Sequence, residues 1–197
     1  MQLRVEPLTP ARWCDLVSLF ARPGLSVARG CYCMYYRRSG RHEVPPGMTR
    51  SEVNKRSLKA LVERGTVPGL IGYESRRPVG WISLGPREDY ARLARSPVMK
   101  AFDDLPVWSI VCFVVDPAAR HRGAAEAMLK GAIVWARRQG VTLLESYPCD
   151  KPANAPDDAM WFGAKSMFDR AGFVEVARRK PARPMMRKRL GARRRAS

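Results

Sequence analysis

Leu3 and Val5 alternate with polar neighbours at the start of the chain, and the spacing then changes so that Trp13, Leu16, Val17 and Phe20 share a helical face. The first pattern predicts a strand. The second predicts a helix with Thr9 as N-cap, Pro10 at its first position and a Pro23-Gly24 stop. From Leu25 to Arg50 no period dominates, and the mixture of Gly, Pro, paired Tyr and Arg predicts a loop with a short helical stretch through Cys31–Arg37. Ser51 is expected to cap a helix running through Arg64 and ended by Gly65.

Residues Val67–Gly85 have the pattern of a hairpin turning at Arg76, Arg77 and Pro78, followed by a polar insertion from Pro86 to Pro106 that holds a helical turn. Val107–Val115 is apolar at consecutive positions, as a central strand covered on both faces must be. Ala125, Met128, Leu129, Ala132, Ile133 and Ala136 then form one stripe of a helix from Gly123 to Arg138, ended at Gly140. Val141–Pro148 predicts another strand, Pro156–Phe173 a loop and helix, and Phe173–Arg179 and Met185–Leu190 two final strands. No internal repeat is visible. This order implies an α/β or α+β sheet containing a parallel pair joined across the Gly123–Arg138 helix.

Length and charge narrow this picture. A chain of 197 residues is long enough for one core without disulfides or metal, so residues 1–190 are expected to form a single domain. The first twenty residues lack an unbroken apolar signal region, and no apolar run approaches the roughly 18 residues of a membrane span, so a cytoplasmic protein with no membrane contact is expected. Five cysteines are an odd number, and Cys31 and Cys33 have no second pair and only two histidines to join them, which argues against a metal site and for free thiols. The net charge of +18 attracts polyanions. It is concentrated at the end, where Gly191–Ser197 reads as a disordered basic tail suited to nonspecific nucleic-acid contact.

The segment Arg120-His121-Arg122-Gly123-Ala124-Ala125 carries the chemistry. Glycine and alanines leave the first-turn amides of a helix sterically open, those amides have no intrahelical acceptor, and the helix dipole and two arginines add positive charge. A phosphate or pyrophosphate is the natural guest. Neither a GK[ST] sequence nor G-x-G-x-x-G is present, so nucleotide-hydrolysing and dinucleotide folds are unsupported.

This segment resembles the R/Q-x-x-G-x-G/A motif of the GCN5-related N-acetyltransferases. It follows a strand ending Val115-Asp116-Pro117, and further on Ala164–Phe173 is similar to the family's A-x-x-x-Y-x-x-x-G-F helix end. The resemblance implies a mixed, mostly antiparallel twisted sheet, helices on both faces, and a central parallel pair splayed around an acyl-CoA cleft. It implies acetyl-CoA as cosubstrate, with Arg120, His121, Arg122, Gly123, Ala124 and Ala125 at the pyrophosphate and Phe113, Val114 and Val115 along the pantetheine. An amide of Phe113 or Val114 is expected to stabilise the oxyanion.

Glu145 is the candidate general base, on the strand beside that cleft. The family's acid-bearing Tyr position is Phe168 here, which donates no proton and is expected to pack on the pantetheine end. Tyr147 is the substitute acid because it shares a strand face with Glu145, with Cys149 a weaker choice. The family's Asn is replaced by Trp161, while Ala164 matches.

For the acceptor, Tyr35 and Tyr36 with Trp81 and Trp108 are expected to line an aromatic cleft suited to a flat or cationic amine. A small-molecule amine is the leading acceptor. Alternatives are a protein lysine or N-terminus, or a noncatalytic acyl-CoA sensor or nucleic-acid module. A cationic acceptor would need local acid from Glu43, Asp103, Asp104, Asp157 and Asp158. A homodimer is a further expectation from the resemblance.

Overall fold

The computed structural model describes residues 1–40, 43–150 and 160–191. Most of the basic tail and the pair Asp157–Asp158 therefore lie outside the described residues. Among these residues seven strands form one sheet in the order β1-β2-β3-β4-β5-β7-β6. β1 is Arg4–Pro7, β2 Gly69–Glu74, β3 Arg77–Pro86, β4 Trp108–Val115, β5 Leu143–Ser146, β6 Val174–Arg178 and β7 Pro184–Arg189. Every neighbouring pair is antiparallel except β4 and β5, which run parallel. The helix that crosses between them is α5, Ala124–Arg138, the long connection that a parallel pair needs.

The predicted stripe of α5 is the buried one: Met128, Leu129, Ala132, Ile133 and Ala136 pack on Ile82, Ile110, Leu144 and Met186 of the sheet. α6, Lys165–Arg170, covers the same face through Met167 and Phe168. On the opposite face α1 (Trp13–Phe20), α2 (Ser26–Cys31) and α3 (Arg50–Glu63) cover Ile71, Tyr73 and Trp81. Both faces of β4 are therefore covered, which explains its unbroken apolar run.

Three local expectations change. The short helix ends at Cys31, where the expected stretch begins, because Tyr32 adopts φ 45 and Cys33 φ 51, left-handed conformations that stop α2. α3 is capped by Thr49, whose side chain accepts the Glu52 amide while Glu52 reaches back, a reciprocal pair that Ser51 has no equivalent partner to form. The helix in the Pro156–Phe173 region spans Lys165–Arg170 alone among the described residues.

Gly131 on α5 shows how tightly β1 is packed. A Cβ there would lie 2.5 Å from Val5 Cβ, a stiff branched side chain on β1. Gly131→Ala gains about 1 kcal/mol of helix propensity but forces overpacking that costs about 1–3 kcal/mol. Its expected outcome in urea unfolding is a lowered midpoint. A raised midpoint would mean that β1 shifts freely.

Candidate functional site

The parallel register joins only Trp108–Leu144, Ser109–Glu145 and Ile110–Ser146. Beyond Ile110, β4 stays paired with β3 as far as Val115, while the chain after β5 leaves it. This opens a split at the C-terminal end of β4, above the turn that leads into α5.

Asp116 anchors that turn. Its carboxylate is buried, accepts the Ala118 amide at 3.0 Å, and pairs with Arg77 at 2.6 Å and with Arg22 from the end of α1. Burial raises its pKa, but the amide and the two guanidinium groups outweigh burial and hold the carboxyl below the usual range. Sequence reasoning passed over Asp116 as a positioning residue, although an Asp directly before Pro117 is a recognisable cap signal.

The chain then passes through His121 (φ 55) to Gly123 (φ 80), both left-handed. Ala127 donates the first helical bond, to the Gly123 carbonyl at 3.0 Å, so the amides of Ala124, Ala125 and Glu126 have no acceptor within the helix. Ala124 is buried against Val79 and Ala119, which keeps the turn close to the sheet. Arg120 Nε reaches the Val115 carbonyl at 3.4 Å, and the exposed Arg122 pairs with Glu74 at 2.7 Å. The result is a helix start with open first-turn amides at the mouth of the split, the arrangement in which helix termini accept anions.

The split holds a piece of the chain itself. The Phe113 amide donates to the Trp161 carbonyl at 2.6 Å, and Cys149 bridges Ala164 in parallel, with its amide on the Gly163 carbonyl at 2.9 Å. Asp116 donates its amide back to Val79 of β3, so strand alternation turns the Val114 amide toward β3 as well. Both amides expected for the oxyanion are therefore engaged. Val115 presents its backbone to the open edge.

The catalytic pair also sits differently from expectation. Glu145 is fully buried, and its carboxylate accepts Arg187 Nε at 2.8 Å, a bond from Arg87 and the hydroxyl of Tyr147. Arg187 also holds Asp103 at 2.6 and 2.9 Å, and Arg87 reaches the Met99 carbonyl at 2.6 Å. Two arginines and two carboxylates thus neutralise one another. The Glu145 carboxylate is thus withdrawn from solvent, with its lone pairs taken up by Arg87, Arg187 and Tyr147. Tyr147 has its phenol pKa pushed far up, first by burial and then by the adjacent Glu145 charge. Cys149 is equally buried. No sequence pattern links Arg87, Asp103 and Arg187 to Glu145.

The aromatic cleft separates into parts. Trp81 is wholly buried among α1 and α2, its Nε1 3.1 Å from Cys33 Sγ. Trp108 faces the other side of the sheet and packs against Trp135 of α5 at 5.6 Å. Phe168 is also fully buried, between Phe113 and Phe173, so it supports the core under β4 and offers no surface to a ligand. Tyr35 and Tyr36 remain together, edge to face at 4.9 Å, and Tyr36 also meets Phe162 at 5.2 Å. Asp103 is committed to Arg187 and supplies no free acid for a cationic acceptor.

Among the described residues no three His, Cys, Asp or Glu side chains group as a metal site, and Cys14, Cys31, Cys33 and Cys112 carry free thiols. No helix among them is long and apolar enough to cross a membrane.

The profile described as the Acetyltransferase (GNAT) family matches residues 35–164. Among solved structures, similarity extends to a histone acetyltransferase HPA2 and related acetyltransferase from Corynebacterium glutamicum, at 17% identity, TM-score 0.55, and 97% of this chain against 98% of that one. The PaiA N-acetyltransferase of Thermoplasma acidophilum in complex with coenzyme A is similar at 14% identity, TM-score 0.52, and 96% against 100%. A polyamine N-acetyltransferase of Drosophila melanogaster is similar at 13% identity, TM-score 0.53, and 96% against 100%. These likenesses establish the fold. No curated protein matches the chain.

Proposed function

Because this chain belongs to the GNAT acetyltransferase family, we propose that it transfers an acetyl group from acetyl-CoA to the primary amine of a small molecule. The observation that carries the reading is the Gly123 turn, which aims the first amides of α5 at the mouth of the β4–β5 split. The pyrophosphate would rest on the amides of Ala124 and Ala125 beside His121, with Arg120 and Arg122 adding charge. The pantetheine would run along Val115 toward Phe113. The Phe113 amide, which donates to the Trp161 carbonyl, would then donate to the thioester carbonyl in its place.

The amine nitrogen attacks the thioester carbon in a ternary complex. The C–N bond forms, the C–S bond breaks, and the proton lost by nitrogen ends on the departing thiolate. Alignment supplies most of the acceleration, since a thiolate is a good leaving group and needs no dedicated acid. With Glu145 and Tyr147 held in the buried network, the amine enters neutral or passes its proton to water.

Calorimetric titration with acetyl-CoA, with ATP and desulfo-CoA as controls at two salt concentrations, tests this reading. Saturable acetyl-CoA binding that survives the higher salt and exceeds that of ATP is expected. A weak response shared with ATP and erased by salt would reduce the turn to a general polyanion attractant. Thiol release on adding an amine separates transfer from acyl-CoA sensing.

A further inference from the structure

On the face opposite α5 lies a cavity of about 560 Å³, lined by Tyr35, Arg38, Arg50, Asn54 and Arg92 together with Cys31. That volume suits a metabolite-sized ligand. Its charge is one-sided, with three guanidinium groups and no carboxylate among the lining residues. Elsewhere Arg22 pairs with Asp116, Arg37 with Asp89, and Arg87 and Arg187 with Glu145. Among the described residues Arg38, Arg50 and Arg92 have no such partner. Arg38 bonds only neutral groups, Ser57 Oγ at 2.6 Å and the Val53 carbonyl at 3.4 Å, and desolvation lowers its pKa.

Two polar atoms in this wall are buried without a partner. Arg92 lies over the Tyr35 ring at 4.0 Å, and its Nε donates to nothing. Asn54 is 6% exposed; it gives its amide nitrogen to the Gly30 carbonyl at 2.8 Å and leaves Oδ1 unsatisfied. Orphaned groups of this kind mark a site for a ligand with complementary atoms. An anionic acceptor satisfies the arginines, and an N–H donor satisfies Asn54. The thiol of Cys31 has its pKa pushed up to about 11 by burial, so it remains protonated and offers no covalent chemistry.

The cavity adjoins the split. Tyr35 also lines a neighbouring cavity of about 390 Å³ with Tyr36, and Tyr36 packs on Phe162 in the cluster that includes Cys112 of β4. Contacts among Tyr35, Tyr36 and Phe162 thus connect this cavity with β4.

Resting on the acetyl-transfer reading, we propose that this cavity binds the carboxylate of the acceptor, making the substrate class an amine that also carries a carboxylate, in the manner of an amino acid. Arg38, Arg50 and Arg92 hold the carboxylate, and Asn54 Oδ1 takes a hydrogen bond from an N–H of the substrate. A polyamine would meet three like charges here.

The test is thiol release from acetyl-CoA with a panel of free amino acids, their carboxamides and polyamines, on the full chain, on Arg50→Met and on Arg92→Met. Both substitutions keep an apolar stem, and Arg50 is exposed at the start of α3. Free acids are expected to exceed their carboxamides by about 10- to 100-fold in kcat/KM, the scale of a charged hydrogen bond. Each variant is expected to lose at least about tenfold of that preference while acetyl-CoA titrations stay unchanged. Turnover favouring carboxamides or polyamines, a preference that survives both substitutions, or no turnover of any acid by a chain that binds acetyl-CoA, would overturn the proposal and leave the acyl-CoA reading standing. Failure to bind acetyl-CoA would remove both.

Discussion

Glu145→Gln is expected to lower stability by about 3–5 kcal/mol, the cost of removing one partner from a buried ion pair. For a chain of this length that corresponds to a fall in melting temperature of roughly 6–20 °C. Glutamine preserves the side-chain volume, so a cavity does not cause the loss. Charge does: Arg87 and Arg187 face Glu145 and Asp103 as two positive and two negative groups, and the substitution leaves one positive charge uncompensated. The side chains of Arg187 and Arg87 are 7% and 14% exposed, so water reaches neither easily. Tyr147→Phe removes hydroxyl contacts with Glu145 and with Ser109 at 3.1 Å but no charge, and is expected to cost only about 1–2 kcal/mol. Thermal denaturation of both variants checks the order. A Glu145→Gln protein that melts like the parent but shifts the pH profile of turnover would show Glu145 acting as a base.

Gly123→Glu is expected to weaken acetyl-CoA binding by at least about 100-fold, because a like charge set against a phosphate costs several kcal/mol. The change also carries a conformational cost, since Gly123 stands at φ 80, where a residue with a Cβ costs roughly 1–2 kcal/mol. Space is not the obstacle: the nearest atom to an added Cβ is the Met1 nitrogen at 3.8 Å. Gly123→Asn isolates the charge, because asparagine tolerates the left-handed conformation and carries no carboxylate. Its acetyl-CoA affinity is expected to stay within about tenfold of the parent, on the same scale where each 1.4 kcal/mol is tenfold. Equal losses in the asparagine and glutamate variants would show that backbone geometry, and not anion repulsion, governs the site.

The sequence by itself determined the element order, the buried stripe of α5, the two-faced burial of β4 and the glycine turn between them. All of these are local: a period of 3.6, an unbroken apolar run, or a residue type that one conformation requires. The motif around Gly123 belongs with them because strand, turn and helix start are continuous in the chain. Tertiary structure decided which groups stand opposite one another. Alternation puts Glu145 of β5 and Tyr147 just after it on one side, but Arg87 arrives from the end of β3 and Arg187 from β7, and their guanidinium groups close around the candidate base. Trp81 and Trp108 look alike in the sequence, yet the sheet sends one toward α1 and the other toward α5. The unpaired arginines of α3, α4 (Ala91–Ala94) and the loop after α2 form one cavity for the same reason. Long-range pairing of charges, and its absence, depends on which distant segments the packed core brings together, and no local pattern encodes it.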